Sequence, residues 1–272
     1  LYSRKDSIIF CSATMNVAGS TEFISHRIGM DLVEQDRISS FVAGSAFNFK
    51  EQCRVLVPSF LPDPSDKNGE EVFAKAFAEC MKRVLVLTNG RTLILFTSYK
   101  LMMLCAEQLE AELLAQAIPI HVLVQGVGAS RESLTEQFKQ KDRASVLLGT
   151  DSFWEGVDLI GDALTNLVIV KLPFDAVNDP IVNARAERVR MEMGDSFMGY
   201  TVPNAVIKFR QGFGRLIRHK QDRGIVIITD PRIISKNYGA VFRKSIPTLV
   251  ERVPTENELN RIIEAFFAAS II

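Results

Sequence analysis

Two short segments concentrate residue types suited to phosphate chemistry. The first, GTDSFWEGVDLIGD at 149–162, follows an apolar run and sets Thr150, Gly156 and Asp158 at fixed offsets. A strand-end threonine with free backbone amides can hold a phosphate, a glycine lets the backbone approach it, and an aspartate can accept from a ribose hydroxyl. An ordinary strand–turn–helix junction with Asp158 as a cap accounts for the same residues. The second segment, RQGFGRLIRHKQDRG at 210–224, spaces Arg215 and Arg218 three apart, with Gln211 one turn before Arg215. On or at the end of a helix, that spacing sends both guanidiniums from one face. Two forked cations aimed at one point suit a triphosphate whose charge must be stabilised while its γ-phosphoryl group is transferred. A solvated basic face is the alternative, since six Lys or Arg fall from Lys208 to Arg223. That alternative leaves Gly212 and Gly214 unexplained, because a glycine inside a helix costs about 1 kcal/mol against alanine.

Other polar residues sit directly after apolar runs. Thr97, Ser98 and Tyr99 follow TLILF, where hydroxyls can meet nucleic-acid phosphates and the tyrosine can stack on a base, and where Ser98 equally reads as a helix N-cap. Gln125 and Gly126 close the next run, and Ser130 precedes a helix whose N-terminus suits a phosphate or simply a cap. Trp154, the single tryptophan, reads as core rather than as a stacking platform. Pro173, Asp175 and Asp179 read as structural. His26, His121 and His219 have no metal-ligand spacing. Cys11, Cys53, Cys80 and Cys105 lie far apart without a CxxC pair, which fits free thiols in a reducing compartment and no zinc site.

These residues need a scaffold that brings strand ends together. Apolar β-rich runs recur at 8–11, 54–58, 92–96, 121–125, 145–149, 167–172 and 224–229, and amphipathic stretches of helical length lie between them at 70–87, 100–116, 131–141, 179–193 and 202–218. The alternation predicts an open, mostly parallel α/β sheet with helices on both faces, in which ligands bind beyond the carboxyl ends of the strands. Residues 58–69 read as a loop, residues 38–51 as an irregular linker, and residues 255–269 as a terminal helix with Thr255 and Glu258 in capping-box spacing and Ile262, Ile263, Phe266 and Phe267 as a docking face. The 272 residues are 47% hydrophobic and 24% charged, with Lys plus Arg balancing Asp plus Glu at 32 each. Nucleic-acid contact must therefore be local rather than a global charge effect. The apolar runs stop well short of the roughly 20 residues of a membrane span. The chain opens at Leu1 without a methionine or a signal peptide, and reads as a piece of a longer protein.

Taken together, Thr150-Asp151 with Gly156-Val157-Asp158 resembles motif V, and Gln211-x-x-Gly214-Arg215-x-x-Arg218 resembles motif VI with its arginine finger, of the second RecA-like domain of superfamily 2 helicases. Ser12-Ala13-Thr14 resembles motif III, TLILFTSY at 92–99 motif IV, and the segments at 172–185 and 222–247 resemble the bacterial DinG branch, relatives of the XPD helicases. The resemblance covers nearly the whole chain. It implies a RecA-like, P-loop-NTPase-like fold at 51–272, preceded at 1–50 by a junction after motif III of a first motor domain. It implies Arg215, Arg218 and Gln211 as catalytic residues, and Glu155, Gly156, Asp158 and Gly214 at the nucleotide. It further implies Thr97, Ser98, Tyr99, Gln125 and Thr150 on single-stranded DNA, with 5′ to 3′ translocation in a bacterial cytoplasm, associated with the nucleoid. No GxxxxGK[ST] loop and no DExH box occur in these residues. ATP and Mg²⁺ would thus be held mostly by the first RecA-like domain, and this chain alone is expected not to hydrolyse ATP. An iron–sulfur cluster in the longer protein stays undecided, with none in this chain. A stand-alone Rossmann-like module that binds a nucleotide or a partner is the rival reading, though it would want G-x-G-x-x-G after the first strand.

Overall fold

Alternation along each strand decides the layering. Val55 and Val57, Leu93 and Leu95, Leu167 and Ile169, and Val226 and Ile228 face one core, while Leu56, Ile94, Val168, Ile225 and Ile227 face another. Side chains alternate across a strand, so a sheet buried on both faces reads as continuous apolar sequence. A computed structural model describes the chain except residues 1, 3, 67, 141, 155–162, 177–178 and 270–272. In it β1 (Cys53–Pro58), β2 (Thr92–Leu95), β3 (His121–Val124), β4 (Ser145–Gly149), β5 (Asn166–Ile169), β6 (Gly224–Ile228) and β7 (Val250–Val253) form one parallel sheet in the order β3-β4-β2-β5-β6-β1-β7.

Short helices α1 (Glu22–Arg27) and α2 (Phe49–Gln52) precede β1. Helices α3 (Glu70–Leu87) and α4 (Tyr99–Ala115) line one face together with the C-terminal helix (Glu256–Ala268). The other face carries α5 (Arg131–Lys139), α6 (Asp151–Trp154) and α8 (Val202–Phe213), followed by α9 (Arg232–Ser235) and α10 (Gly239–Lys244), while α7 (Pro180–Met193) packs outside it against residues 197–201. Counted in chain order the C-terminal helix is α11. Its expected cap is present, with the Glu258 N–H donating to Thr255 Oγ1 at 3.3 Å, and Ile263 and Phe266 are buried. Asp179 caps α7 by accepting from the N–H groups of Ile181 and Val182 at 2.8 and 3.1 Å.

Three expectations fail locally. Residues 8–11 form no strand: Ile9 is 90% exposed and nothing in the sheet pairs with the run. An apolar run becomes a strand only where a neighbour satisfies its backbone, and this one has none. The helix expected at 202–218 stops at Phe213, with Gly214 at its C-cap, because Leu216 and Ile217 turn inward and are buried. Strand β7 was not expected; its VERV sequence is an edge strand with two charged residues at its centre instead of an apolar run.

Candidate functional site

Parallel register gathers the first group of site residues. Leu95 pairs with Gly149 and Val124 with Leu148, so the chain leaves β2, β3 and β4 at one level of the sheet. There Gln125 Oε1 accepts from both the Thr150 N–H at 2.7 Å and the Thr150 hydroxyl at 3.1 Å. Tyr99 is half exposed, and its hydroxyl lies over Gly126, whose φ of +82° suits glycine and where a Cβ would sit 2.9 Å from that oxygen. Ser98 caps α4, accepting from the Leu101 N–H at 3.3 Å, and Thr97 stands half-buried beside it. Ser130 likewise caps α5, accepting from the Ser133 N–H. Hydroxyls, an amide and one exposed ring thus share one rim of the sheet. Such a surface can accept phosphates and stack a base without carrying formal charge.

The second group meets the first through Trp154, which is fully buried. Its indole N–H donates to the Phe96 carbonyl at 2.9 Å. Gly212 lies against the ring, so closely that a Cβ there would stand 2.8 Å from Cε3 and Cζ3. That approach explains why a helix interior carries a glycine. The Arg215 guanidinium donates through Nε and Nη2 to the Trp154 carbonyl at 3.2 and 3.0 Å. The segment that begins at Thr150 and the segment that carries the arginines are therefore one packed unit. Trp154 belongs to the core, as expected.

The expected pairing of Arg215 and Arg218 on one helical face is corrected, because α8 ends before either residue. Both lie on the connection to β6, and a different device fixes it. Asp222 Oδ2 accepts from the backbone N–H groups of Arg218 and His219, both at 2.8 Å, and Gln52 Nε2 donates to the carbonyls of His219, Lys220 and Asp222 at 3.3, 3.0 and 2.9 Å. The backbone at Arg218 is thereby held from two sides. Gln211 is half-buried in the last turn of α8, and Gly214 is exposed. Glu155, Gly156 and Asp158 lie outside the described residues.

Two features escaped the sequence. Arg210, counted above as one cation of a basic face, is half-buried and donates to the Ala13 carbonyl at 2.9 Å and to the Asn16 carbonyl, tying the Ser12–Thr14 turn to α8; burial lowers its pKa. Asp230, fully buried at the end of β6, accepts from the Leu172 N–H at 2.8 Å and from Arg232 Nη2 at 2.6 Å. An acidic residue two positions after the apolar run GIVII was the available signal for the second; nothing in the sequence signalled the first. Near Asp230, just past the end of β5, burial lowers the pKa of the Lys171 ammonium while Glu70 opposes the shift. Burial pushes the thiols of Cys53 and Cys80 up to about 12, and that of Cys105 higher still. Among the described residues no group of three or more His, Cys, Asp and Glu side chains could hold a metal ion, and no helix is long and apolar enough to cross a membrane.

The family described as helicase C-terminal domain matches residues 81–249, more than half of the chain. The chain belongs to the helicase C-terminal domain family. Among curated relatives, the ATP-dependent DNA helicase YoaA of Haemophilus influenzae is 38% identical over 264 residues, covering 97% of this chain and 38% of that protein. The 3'-5' exonuclease DinG of Bacillus subtilis is 34% identical over 265 residues, covering 96% and 28%. This helicase C-terminal domain thus spans well under half the length of those relatives. Among solved structures, one titled XPD_Helicase superposes with a TM-score of 0.56 at 19% identity, over 74% of this chain and 35% of that one. Saccharomyces cerevisiae Dbp5 bound to RNA and ADP BeF3 superposes at 0.51 with 14% identity, over 89% and 52%. At such identities the likeness is one of fold, and it is the RecA-like helicase fold.

Proposed function

We propose that this helicase C-terminal domain is the second of two RecA-like halves of a DinG-type, ATP-dependent DNA helicase. Residues 51–272 form the half-motor, and residues 1–50 join it to a first RecA-like domain of the same protein, which holds most of the ATP and its Mg²⁺. ATP lies between the two halves. Arg218, with Arg215 beside it, stabilises charge on the transferred phosphoryl group, while Gln211, Gly214, Glu155, Gly156 and Asp158 position the nucleotide. Thr97, Ser98, Tyr99, Gln125 and Thr150 form the single-stranded DNA face, and the resemblance to XPD relatives supports 5′ to 3′ movement. The Trp154 joint supports this reading best. Because Gly212 and Arg215 brace the residue that ends α6, and α6 begins directly after Thr150, a shift of the arginine loop on closure around ATP is carried to the DNA face through packed groups.

A titration of this chain with a labelled oligothymidylate tests the DNA half of the reading. Binding should be weak, because the chain has no net charge, and should fall as salt rises, because each phosphate contact releases counterions. Tyr99→Ala should weaken it about ten-fold, the range expected for loss of one stacked base, and Thr150→Ala by less. Absence of binding even at low salt, or binding indifferent to both substitutions, would remove this face from the proposal.

A further inference from the structure

A cavity of about 430 Å³ opens between α1, α7 and the start of α8, away from the nucleotide residues. Its floor is apolar and aromatic: Val189, Met193, Met198, Phe23 and Tyr200, with the two rings 6.4 Å apart between centroids. Its charged rim holds three arginines, Arg27, Arg185 and Arg188, against one glutamate, Glu22. With Glu192 and Asp31 next to that rim, acids and arginines balance in number, and what distinguishes the rim is which of its arginines are committed. The nearby acids are already engaged: Glu192 bonds Arg188 Nε at 2.8 Å and lies 3.3 Å from His26 Nε2, with Asp31 at 3.7 Å from the same imidazole nitrogen. Arg27 spends one nitrogen on Asn204 Oδ1, and among the described residues Arg185 has no carboxylate partner.

An aromatic and thioether floor under a guanidinium rim fits a ligand with a flat apolar body joined to anions, which is the chemistry of a nucleotide in a single strand. The volume falls within the range of small-molecule clefts, roughly 300 to 1,000 Å³. Placement selects nucleic acid over an acidic peptide. Helix α8 lends Pro203 to the cavity wall and Asn204 to Arg27 on its rim, and one turn later its Lys208 bonds Asp151, the residue after Thr150. The five helical steps from Pro203 to Lys208 span roughly 7.5 Å at 1.5 Å per step. We infer that this cavity receives a base of single-stranded DNA that continues from the Thr150 rim, with Arg185, Arg188 and Arg27 meeting the flanking phosphates. The inference rests on the DNA reading above and extends it by one binding pocket, on the α1–α7 side of α8.

The test uses this chain with its methionine methyl groups ¹³C-labelled. Adding oligothymidylate should shift the Met193 and Met198 methyl signals, while the fully buried Met81 and Met102 stay in place. An abasic strand of equal length should leave all four unmoved, because phosphates alone do not enter the cavity. Arg185→Glu, at an exposed position, should weaken strand binding about ten-fold, and Ser20→Phe, which fills the mouth, should do the same; Arg190→Glu, on the same helix but outside the lining, should leave it unchanged. Silent Met193 and Met198 signals, together with full binding by Arg185→Glu, overturn the pocket even if Tyr99→Ala still weakens binding, in which case the DNA face survives alone. If no strand binds under any condition, pocket and face fall together.

Discussion

In the longer helicase proposed to contain this domain, Arg218→Ala abolishes ATP turnover while the protein stays folded. A guanidinium that stabilises charge on a transferred phosphoryl group is worth on the order of 10³-fold or more in rate, or about 4 kcal/mol of transition-state stabilisation. Arg218→Lys fails nearly as badly, since a compact ammonium does not reproduce the planar fork. The fold is expected to survive because other groups hold the backbone of this loop. Asp222 holds the Arg218 and His219 N–H groups, Gln52 holds three carbonyls, and Leu216 and Ile217 are buried just before. Steady-state ATPase and thermal midpoint are measured for Arg215→Ala, Arg218→Ala and the exposed control Lys220→Ala. Near-normal turnover by Arg218→Ala, or a loss tracking a collapsed midpoint, would show the arginine to be structural. Arg215→Ala should lose both activity and some stability, because its guanidinium also braces the Trp154 carbonyl.

The domain alone turns over no ATP on this reading, whether or not single strands are present. The phosphate loop and the Mg²⁺ ligands of a helicase belong to the first RecA-like domain, and the residues here supply charge and position only when that domain closes on them. Turnover by the purified chain that survives Arg218→Ala would sink the two-half assignment.

The sheet was legible in sequence where burial on both faces made strands into unbroken apolar runs, as at 145–149 and 224–228. It was illegible at two kinds of position. Ile8-Ile9-Phe10 carries the same signal without a neighbouring strand, and Val250–Val253 is an edge strand whose two middle residues are charged. Periodicity also misplaced the end of α8. Phe209, Phe213, Leu216 and Ile217 keep helical spacing, yet the last two reach the core from a turn. The strand-end rule brought Tyr99, Gln125 and Thr150 together correctly, since it follows from parallel topology alone. Contacts made by backbone carbonyls were beyond the sequence: neither Arg210 on Ala13 nor Arg215 on Trp154 depends on the identity of the residue that accepts.

Trp154→Ala is expected to cost this domain about 3–5 kcal/mol, a drop of roughly 10 °C in thermal midpoint, because a fully buried tryptophan leaves a cavity and an unsatisfied Phe96 carbonyl. Trp154→Phe keeps most of the apolar volume and loses the indole N–H, so it should cost about 1–3 kcal/mol. Its DNA binding should match that of the unmodified chain, since the ring is enclosed and stacks on no base. The glycine opposite supplies the sharper experiment. A Cβ at Gly212 would lie 2.8 Å from the ring and 3.1 Å from Leu95 Cδ1, so Gly212→Ala in the native background should overpack the joint and cost about 1–3 kcal/mol. With Trp154 truncated the same methyl enters vacated space, and its penalty should vanish or change sign. Thermal and denaturant unfolding of the two single variants and the double variant would measure a coupling of roughly 1–3 kcal/mol between positions 154 and 212. Additive losses would mean that the glycine is not there for the tryptophan, and the mechanical link between Thr150 and the arginine loop would lose its central contact.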